Sequence, residues 1–237
     1  MEYDTWSITP PELKDSGYSL LMFKSGLTGP YDVCLNEIGK VNNIGSVKHC
    51  YRGGIRLPEA EAGAFQSFEL RLKSAETRNV GLNIATPFLG ADLKNRLLES
   101  SEIRFNYGDA EEFAVDYIAM ERFFQDNAPE YIPANVRDAA DGDVTIITGV
   151  LRVRKFEMYV STEAESGRGL SLDVDFINEN VDAGAGFEAG AESVEGVTYK
   201  VSFSSEDRYL PLAAARRLLI YNDATERLLL GHEPYRP

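Results

Sequence analysis

Reactive and metal-binding side chains are scarce in this sequence: its 237 residues include two cysteines, two histidines and one tryptophan. His49 and His232 stand in no ligand spacing with each other or with a cysteine pair, so no metal site is expected. His49 beside Cys50 reads as a residue at a strand end rather than a zinc or nucleophile site. The opening MEYDTWSITPPEL has neither the basic start nor the apolar core of a secretory signal. A cytosolic protein is therefore expected, with Cys34 and Cys50 as free thiols. G-x-S-x-G, H-E-x-x-H and P-loop motifs are all missing, which leaves the enzyme classes that use them without support. No stretch approaches the roughly 20 apolar residues of a membrane-spanning helix. Basic residues are also short, 24 against 38 acidic for a net charge of -14, and such a surface repels nucleic acid at long range. The chain is expected to be no enzyme, with no catalytic residue, cofactor, metal or nucleic-acid partner.

Two near-motifs reduce to ordinary features. GAGFEAG, Gly184 to Gly190, has one residue too many for G-x-G-x-x-G and no helical pattern after it, so it reads as a flexible loop. DVDFINENVD crowds Asp173, Asp175, Glu179 and Asp182 but lacks the central Gly and closing Glu of a calcium loop, and reads as a solvated polar face.

What is present is a globular composition, 43% hydrophobic and 26% charged, enough for one large domain. Pro11 can open a short helix that Gly17 stops, ahead of the apolar run Tyr18 to Phe23. DVCLNEIG and NNIGSVKHCY read as short strands around Gly turns. Phe68, Leu70 and Leu72 alternate with Glu69 and Arg71, and after SAETRN the alternation resumes at Val80, Leu82 and Ile84, which predicts a hairpin over 65–86. LKNRLLES is a short amphipathic helix, and Phe113, Tyr117, Met120 and Phe124 share one face of a longer helix. YIPANVRDAADGD can hold another short helix. DAGAGFEAGAESVEG is a Gly/Ala/Glu-rich stretch, followed by a strand VTYKVSF, an apolar segment PLAAARRLLIYN and the tail DATERLLLGHEPYRP.

A longer hairpin is predicted over 144–177. Ile147, Leu151 and Val153 lie on the odd face, whereas Phe156, Met158 and Val160 lie on the even face, so the phase slips near Arg154 and Lys155 as at a β-bulge. The return strand alternates Leu170, Leu172, Val174 and Phe176 with Ser171, Asp173 and Asp175. Two readings stay open: a half-buried hairpin at a sheet edge, or a pair able to cross a membrane, which needs only about 9 to 11 alternating residues per strand.

Several segments, in order, resemble the gasdermin family and its short bacterial members: LKDSGYSLLMF, GPYDVCLNEIGKVNNIGSVKHCY, NVGLNIATPFLG, DVTIITGVLRVRKFEMYVSTEAESGRGLSLDV and VTYKVSFSSEDRYLPLAAARRLLIYN. The resemblance implies an α+β fold, a twisted, mainly antiparallel central sheet with surrounding helices. It also implies a pore former: an activating protease removes an inhibitory C-terminal part, and the remainder self-associates and refolds two regions into membrane-spanning hairpins that meet lipid. Those regions fall near 65–86 and 144–177, with Phe68, Leu70, Leu72, Val80, Leu82, Ile84, Val150, Phe156, Met158, Val160, Leu170, Leu172, Val174 and Phe176 as inserting side chains. Residues 1–222 would form the pore-forming domain and 223–237 the inhibitory peptide, with Leu228, Leu229 and Leu230 as an apolar plug and Leu230–Gly231 as the cleavage point. A final strand or helix packed in the core is the other reading of that tail. The cytosolic monomer would move to the inner membrane on activation and cause cell death in antiphage defence.

Two departures stand beside the resemblance. The sequence starts Met1, Glu2, Tyr3 and Asp4, without the acylated cysteine that bacterial members often carry within the first few residues. The chain is also acidic, so contact with anionic lipid would fall to Arg71, Lys73, Arg78, Arg152, Arg154, Lys155 and Arg168, each contributing on the order of 1 kcal/mol near such a surface. The alternative is a non-enzymatic interaction or assembly protein whose acidic face docks a basic partner.

Overall fold

The computed structural model describes residues 5–21, 29–37, 40–49, 56–84, 88–108, 110–127, 144–161, 174–181, 188–195, 198–225 and 227–236. Helices are α1 (Thr5–Ile8), α2 (Pro11–Asp15), α3 (Ala75–Ile84), α4 (Ala91–Leu97), α5 (Tyr117–Asp126) and α6 (Val174–Asn180), with a 3-10 turn at Val47–His49. Strands are β1 (Tyr18–Leu20), β2 (Asp32–Glu37), β3 (Lys40–Ser46), β4 (Glu61–Phe65), β5 (Phe68–Leu72), β6 (Glu102–Tyr107), β7 (Ala110–Ala114), β8 (Val144–Val153), β9 (Lys155–Ser161), β10 (Glu188–Glu195), β11 (Thr198–Ser204), β12 (Leu210–Asn222) and β13 (Arg227–Pro234).

They form two antiparallel sheets. In the eight-stranded sheet the long strands β8 and β12 lie side by side as a spine. The other edge of β8 is shared by β2 and β7, and the other edge of β12 by β1 and β13. The five-stranded sheet runs β10-β11-β9-β6-β5. The chain passes between the sheets at four corners: β4 to β5, β6 to β7, β8 to β9 and β11 to β12.

One apolar cluster fills the space between the five-stranded sheet and the helices α3, α4 and α6, where Phe156 and Phe203 stack at 4.5 Å and Phe88 meets Phe156 edge-on at 5.6 Å. Another lies between the larger sheet and α5. A small third cluster, Leu21, Cys34, Ile147, Val150 and Ala214, packs nearby. Burial pushes the Cys34 thiol up to about 12, so this free cysteine stays protonated and inert at neutral pH.

Much of the local reading holds. Pro11 opens α2, and Gly17 at φ +80° turns the chain into β1. The expected strands around 32–46, the helix at LKNRLLES and the strands of VTYKVSF and PLAAARRLLIYN are present as β2, β3, α4, β11 and β12.

Five expectations need correction. Residues 75–84 are helical, because Ser74 caps the segment: its hydroxyl accepts from the Thr77 N–H at 3.1 Å, and Glu76 favours a helix start. The phase slip at Arg154 is no bulge; there the chain leaves one sheet for the other, so the inward face changes. Val174 and Phe176 lie in α6 rather than on a return strand. Phe113 belongs to β7, and α5 starts at Tyr117 under the Asp116 cap, whose carboxylate accepts from the Ala119 N–H at 2.8 Å. Of the Gly/Ala/Glu-rich stretch, residues 188–195 form strand β10. Leu170, Leu172, Arg168 and the expected helix in 131–143 lie outside the described residues.

Gly149 in β8 is required by a close approach. A Cβ there would collide with the Tyr18 hydroxyl and come within 3.0 Å of the Ala114 Cβ. The Tyr18 hydroxyl is held in place, donating to Glu112 Oε1 at 2.6 Å. Gly149→Val is expected to cost about 2–3 kcal/mol by overpacking, read from the urea midpoint; an unchanged midpoint would sink the assignment.

Candidate functional site at the C-terminal strand

The tail is a strand, and β12 explains why. The run Leu218–Tyr221 has high strand preference, and Asn222 turns the chain back: its backbone and side-chain oxygens accept from the Thr225 N–H at 3.2 and 3.1 Å. After the exposed turn residues Asp223, Ala224 and Thr225, β13 pairs with β12 in the register Asn222↔Arg227, Tyr221↔Leu228, Ile220↔Leu229 and Leu219↔Leu230.

Alternation then divides the three tail leucines. Leu228 and Leu230 are 2% and 4% exposed and join the cluster beneath α5, with Leu219, Met120, Phe123 and Phe124. Leu229 is half-buried and stands opposite Ile220, which is 46% exposed. Burying each inward leucine contributes about 1.5–3 kcal/mol.

Polar contacts seat the rest of the strand. Arg217 lies over the Tyr117 ring at 3.9 Å and donates through one nitrogen to the Gly231 carbonyl at 3.1 Å and to the His232 carbonyl. The Tyr117 hydroxyl donates to Glu121 at 3.2 Å and sits 3.4 Å from His232 Nδ1. Beyond Pro234 the Tyr235 N–H donates to the Arg216 carbonyl at 2.7 Å, and the buried Arg216 guanidinium lies under the Tyr235 ring at 5.3 Å. Burial pushes that guanidinium down from its ordinary value.

β13 and β1 lie end to end along one edge of β12: Arg217 pairs with Pro234, and Ala215 with Tyr18. They meet where a Cβ on Gly17 would come within 3.3 Å of the Pro234 ring. The N-terminal segment thus touches the tail, and its α1 touches α3.

In α3, Arg78 is only 9% exposed, and burial pushes its guanidinium down. One of its nitrogens donates to the carbonyls of Lys73 and, at 3.3 Å, Ser101; another donates to the Leu98 carbonyl at 3.1 Å. These acceptors follow β5, close α4 and precede β6, so one side chain joins three elements. Gly81 gives α3 its close seat, since a Cβ there would collide with Leu72.

The remaining predicted residues fall as follows. Phe68, Leu70 and Leu72 in β5, Val80 and Leu82 in α3, and Phe156, Met158 and Val160 in β9 are all buried in the same core cluster. Ile84 closes α3, and Val150 is buried in β8 on the other sheet. Arg71 pairs with Glu69, and Lys73 lies 3.7 Å from Glu102. Arg152 bonds Glu111 at 2.9 Å, and Arg152 and Arg154 each lie over the Tyr209 ring, at 4.2 and 4.3 Å. Lys155 is exposed at the start of β9. Leu230–Gly231 lies inside β13, its glycine carbonyl held by Arg217.

Sequence reasoning missed Arg217, Tyr117, Arg216 and Tyr235 because the pairing of β13 with β12 creates their roles. Among the described residues no group of three or more His, Cys, Asp or Glu side chains converges on a metal position. No helix among them is long and apolar enough to cross a membrane, which says nothing of strands.

These features define an α+β protein of two antiparallel sheets joined at four corners, with a terminal strand docked along one sheet edge. The Bacterial Gasdermin Family model matches residues 29–225, and the chain belongs to that family. The structure of a bacterial gasdermin from Bradyrhizobium tropiciagri shares the fold, with a TM-score of 0.59 over 94% of this chain and 90% of that one at 14% identity. No curated protein matches.

Proposed function

We propose that the chain is an autoinhibited pore-forming protein. A protease releases residues 223–237; the remainder leaves the cytosol, oligomerises on the inner membrane and permeabilises it, causing cell death in antiphage defence. The reading rests on family membership and on one structural observation: a terminal strand behind an exposed turn, seated by Leu228 and Leu230 under α5. Such a strand closes both an apolar pocket and the edge of β12, and a single cut before it makes it a separate, dissociable peptide. The cut belongs in the turn 223–225, because a protease binds extended chain and Leu230–Gly231 is tied into the sheet.

After release, the segments 65–86 and 144–177 are the regions proposed to form membrane-spanning hairpins. Val80, Leu82 and Ile84 alternate as a strand requires although they lie in a helix, a conflict between local pattern and fold that suits a segment with two structures.

The test is dye release from liposomes of bacterial-type lipid by protein carrying an engineered protease site in the turn 223–225. Release only after cutting is the expected result. Confirmed cutting with no release from anionic or neutral vesicles would discard the reading in favour of a non-enzymatic assembly protein.

A further inference from the structure

A cleft of about 520 Å³ opens at the end of the five-stranded sheet where four strands turn toward the other sheet. Each corner contributes to its lining: Ser67 between β4 and β5, Gly108 between β6 and β7, Lys155 at the start of β9 and Ser204 at the end of β11. Beside them the inward face of the sheet presents one row of rings, Phe68, Tyr107, Phe156 and Phe203, with neighbouring centroids 4.9, 5.8 and 4.5 Å apart.

Tyr107 is the polar member of that row. It is 2% exposed, yet its hydroxyl has no hydrogen-bond partner among the described residues. The oxygen is not sealed from solvent, so it opens on the cleft that its residue lines. A buried polar group left unpaired is costly, and folded proteins seldom keep one. Burial pushes the phenol's pKa up, so it stays protonated and offers a donor. The charged groups of the lining are already engaged: Glu69 with Arg71 and Arg104, Glu157 with Lys200 at 2.8 Å, and Lys155 with a partner of its own. What the cleft leaves unsatisfied is therefore apolar aromatic surface and one O–H, in a volume that suits a small organic ligand.

We propose that this cleft binds an uncharged aromatic molecule bearing a carbonyl, with its rings against Phe68, Phe156 and Phe203 and its oxygen accepting from the Tyr107 hydroxyl. Such an occupant touches both segments assigned to membrane hairpins, through Phe68 in 65–86 and Phe156 in 144–177. It sits at the corners that must open before either segment can run straight. It thus binds the folded-back form and not the extended one, shifts the population toward the former and slows pore formation. That regulatory step rests on the pore-forming reading, whereas the site itself does not.

The probe is prodan, a neutral naphthyl ketone whose emission moves to the blue in an apolar site and to the red when its carbonyl accepts a hydrogen bond. Titrated into the uncut chain without lipid, it should bind saturably. Tyr107→Phe removes only the hydroxyl; it should weaken binding about tenfold, move the bound emission further to the blue and leave melting unchanged or higher. Gly108→Leu should fill the cleft and abolish binding without unfolding the chain, since a Cβ at Gly108 meets nothing within 4 Å. No saturable binding to the parent, or equal binding to all three proteins, overturns the site. In the second arm each protein carries an engineered protease site in the turn 223–225, is cut, and meets dye-loaded liposomes with or without saturating prodan. Release slowed by prodan in the parent but not in Gly108→Leu is expected. An equal response of the two, or none in either, overturns the hold on the corners. If the parent without prodan releases no dye, the pore-forming reading fails, and the titration alone still decides the site.

Discussion

Leu230→Asp is expected to release dye from liposomes without any cut. The substitution places a carboxylate in the cluster that Leu219, Met120, Phe123 and Phe124 form beneath α5, where water cannot solvate it. Loss of the leucine and burial of the charge together cost on the order of 3–5 kcal/mol, which lowers the melting temperature by roughly 10 °C in a domain of this size. The tail escapes this cost by leaving the pocket, so the free energy is lost from docking rather than from the sheets. Leu229→Asp is the control: one residue away, half-buried opposite Ile220, it should shift melting by only a degree or two and leave release dependent on cutting. Equal behaviour of the two variants, or a Leu230→Asp protein that melts as the parent does and stays inactive, would refute the seating of the tail.

The second large effect is expected at Arg78. Arg78→Met keeps most of the side-chain volume but removes the donors that serve the carbonyls of Lys73, Leu98 and Ser101. Part-buried carbonyls left without partners, together with the lost charge-assisted bonds, cost about 2–4 kcal/mol. The loss should concentrate in α3. Amide exchange over residues 75–84 should speed up at least tenfold while β8 and β12 exchange as before, because Arg78 lies within α3 and Gly81 already weakens it as a helix. Arg78→Lys should not rescue, since a single ammonium cannot span three carbonyls that a planar guanidinium reaches. In the cut protein the same substitution should quicken dye release, as expected if α3 must melt to form its hairpin. Unchanged exchange in 75–84 would show that Arg78 does not hold the helix.

Both effects arise where sequence pattern and fold disagree. The alternation Val80, Leu82, Ile84 is real, yet the segment is a helix because Ser74 caps it and because Arg78 and Gly81 fit the space between β5, α4 and β6. The change of face at Arg154 was legible, but whether it marked a bulge or a corner depended on a second sheet distant in sequence. For the tail, three consecutive leucines suggested a plug; pairing with β12 turned only Leu228 and Leu230 inward.

By itself the sequence determined what short-range chemistry controls. Period-2 alternation set the inward faces of β5 and β11, Pro11 and Gly17 bounded α2, and the acidic excess set the long-range field. Its ordered segments also carried the family resemblance that the family model bears out over 29–225. Only the tertiary structure decided which sheet each strand joins, that residues 75–84 are held as a helix, and that the last strand shares an edge of β12 with the first. The physical reason is range: side-chain alternation, caps and the Asn222 turn act over a few residues, whereas the pairing of β1 with β12, which sets β1 beside β13, links residues about 200 positions apart, and no local preference encodes that choice.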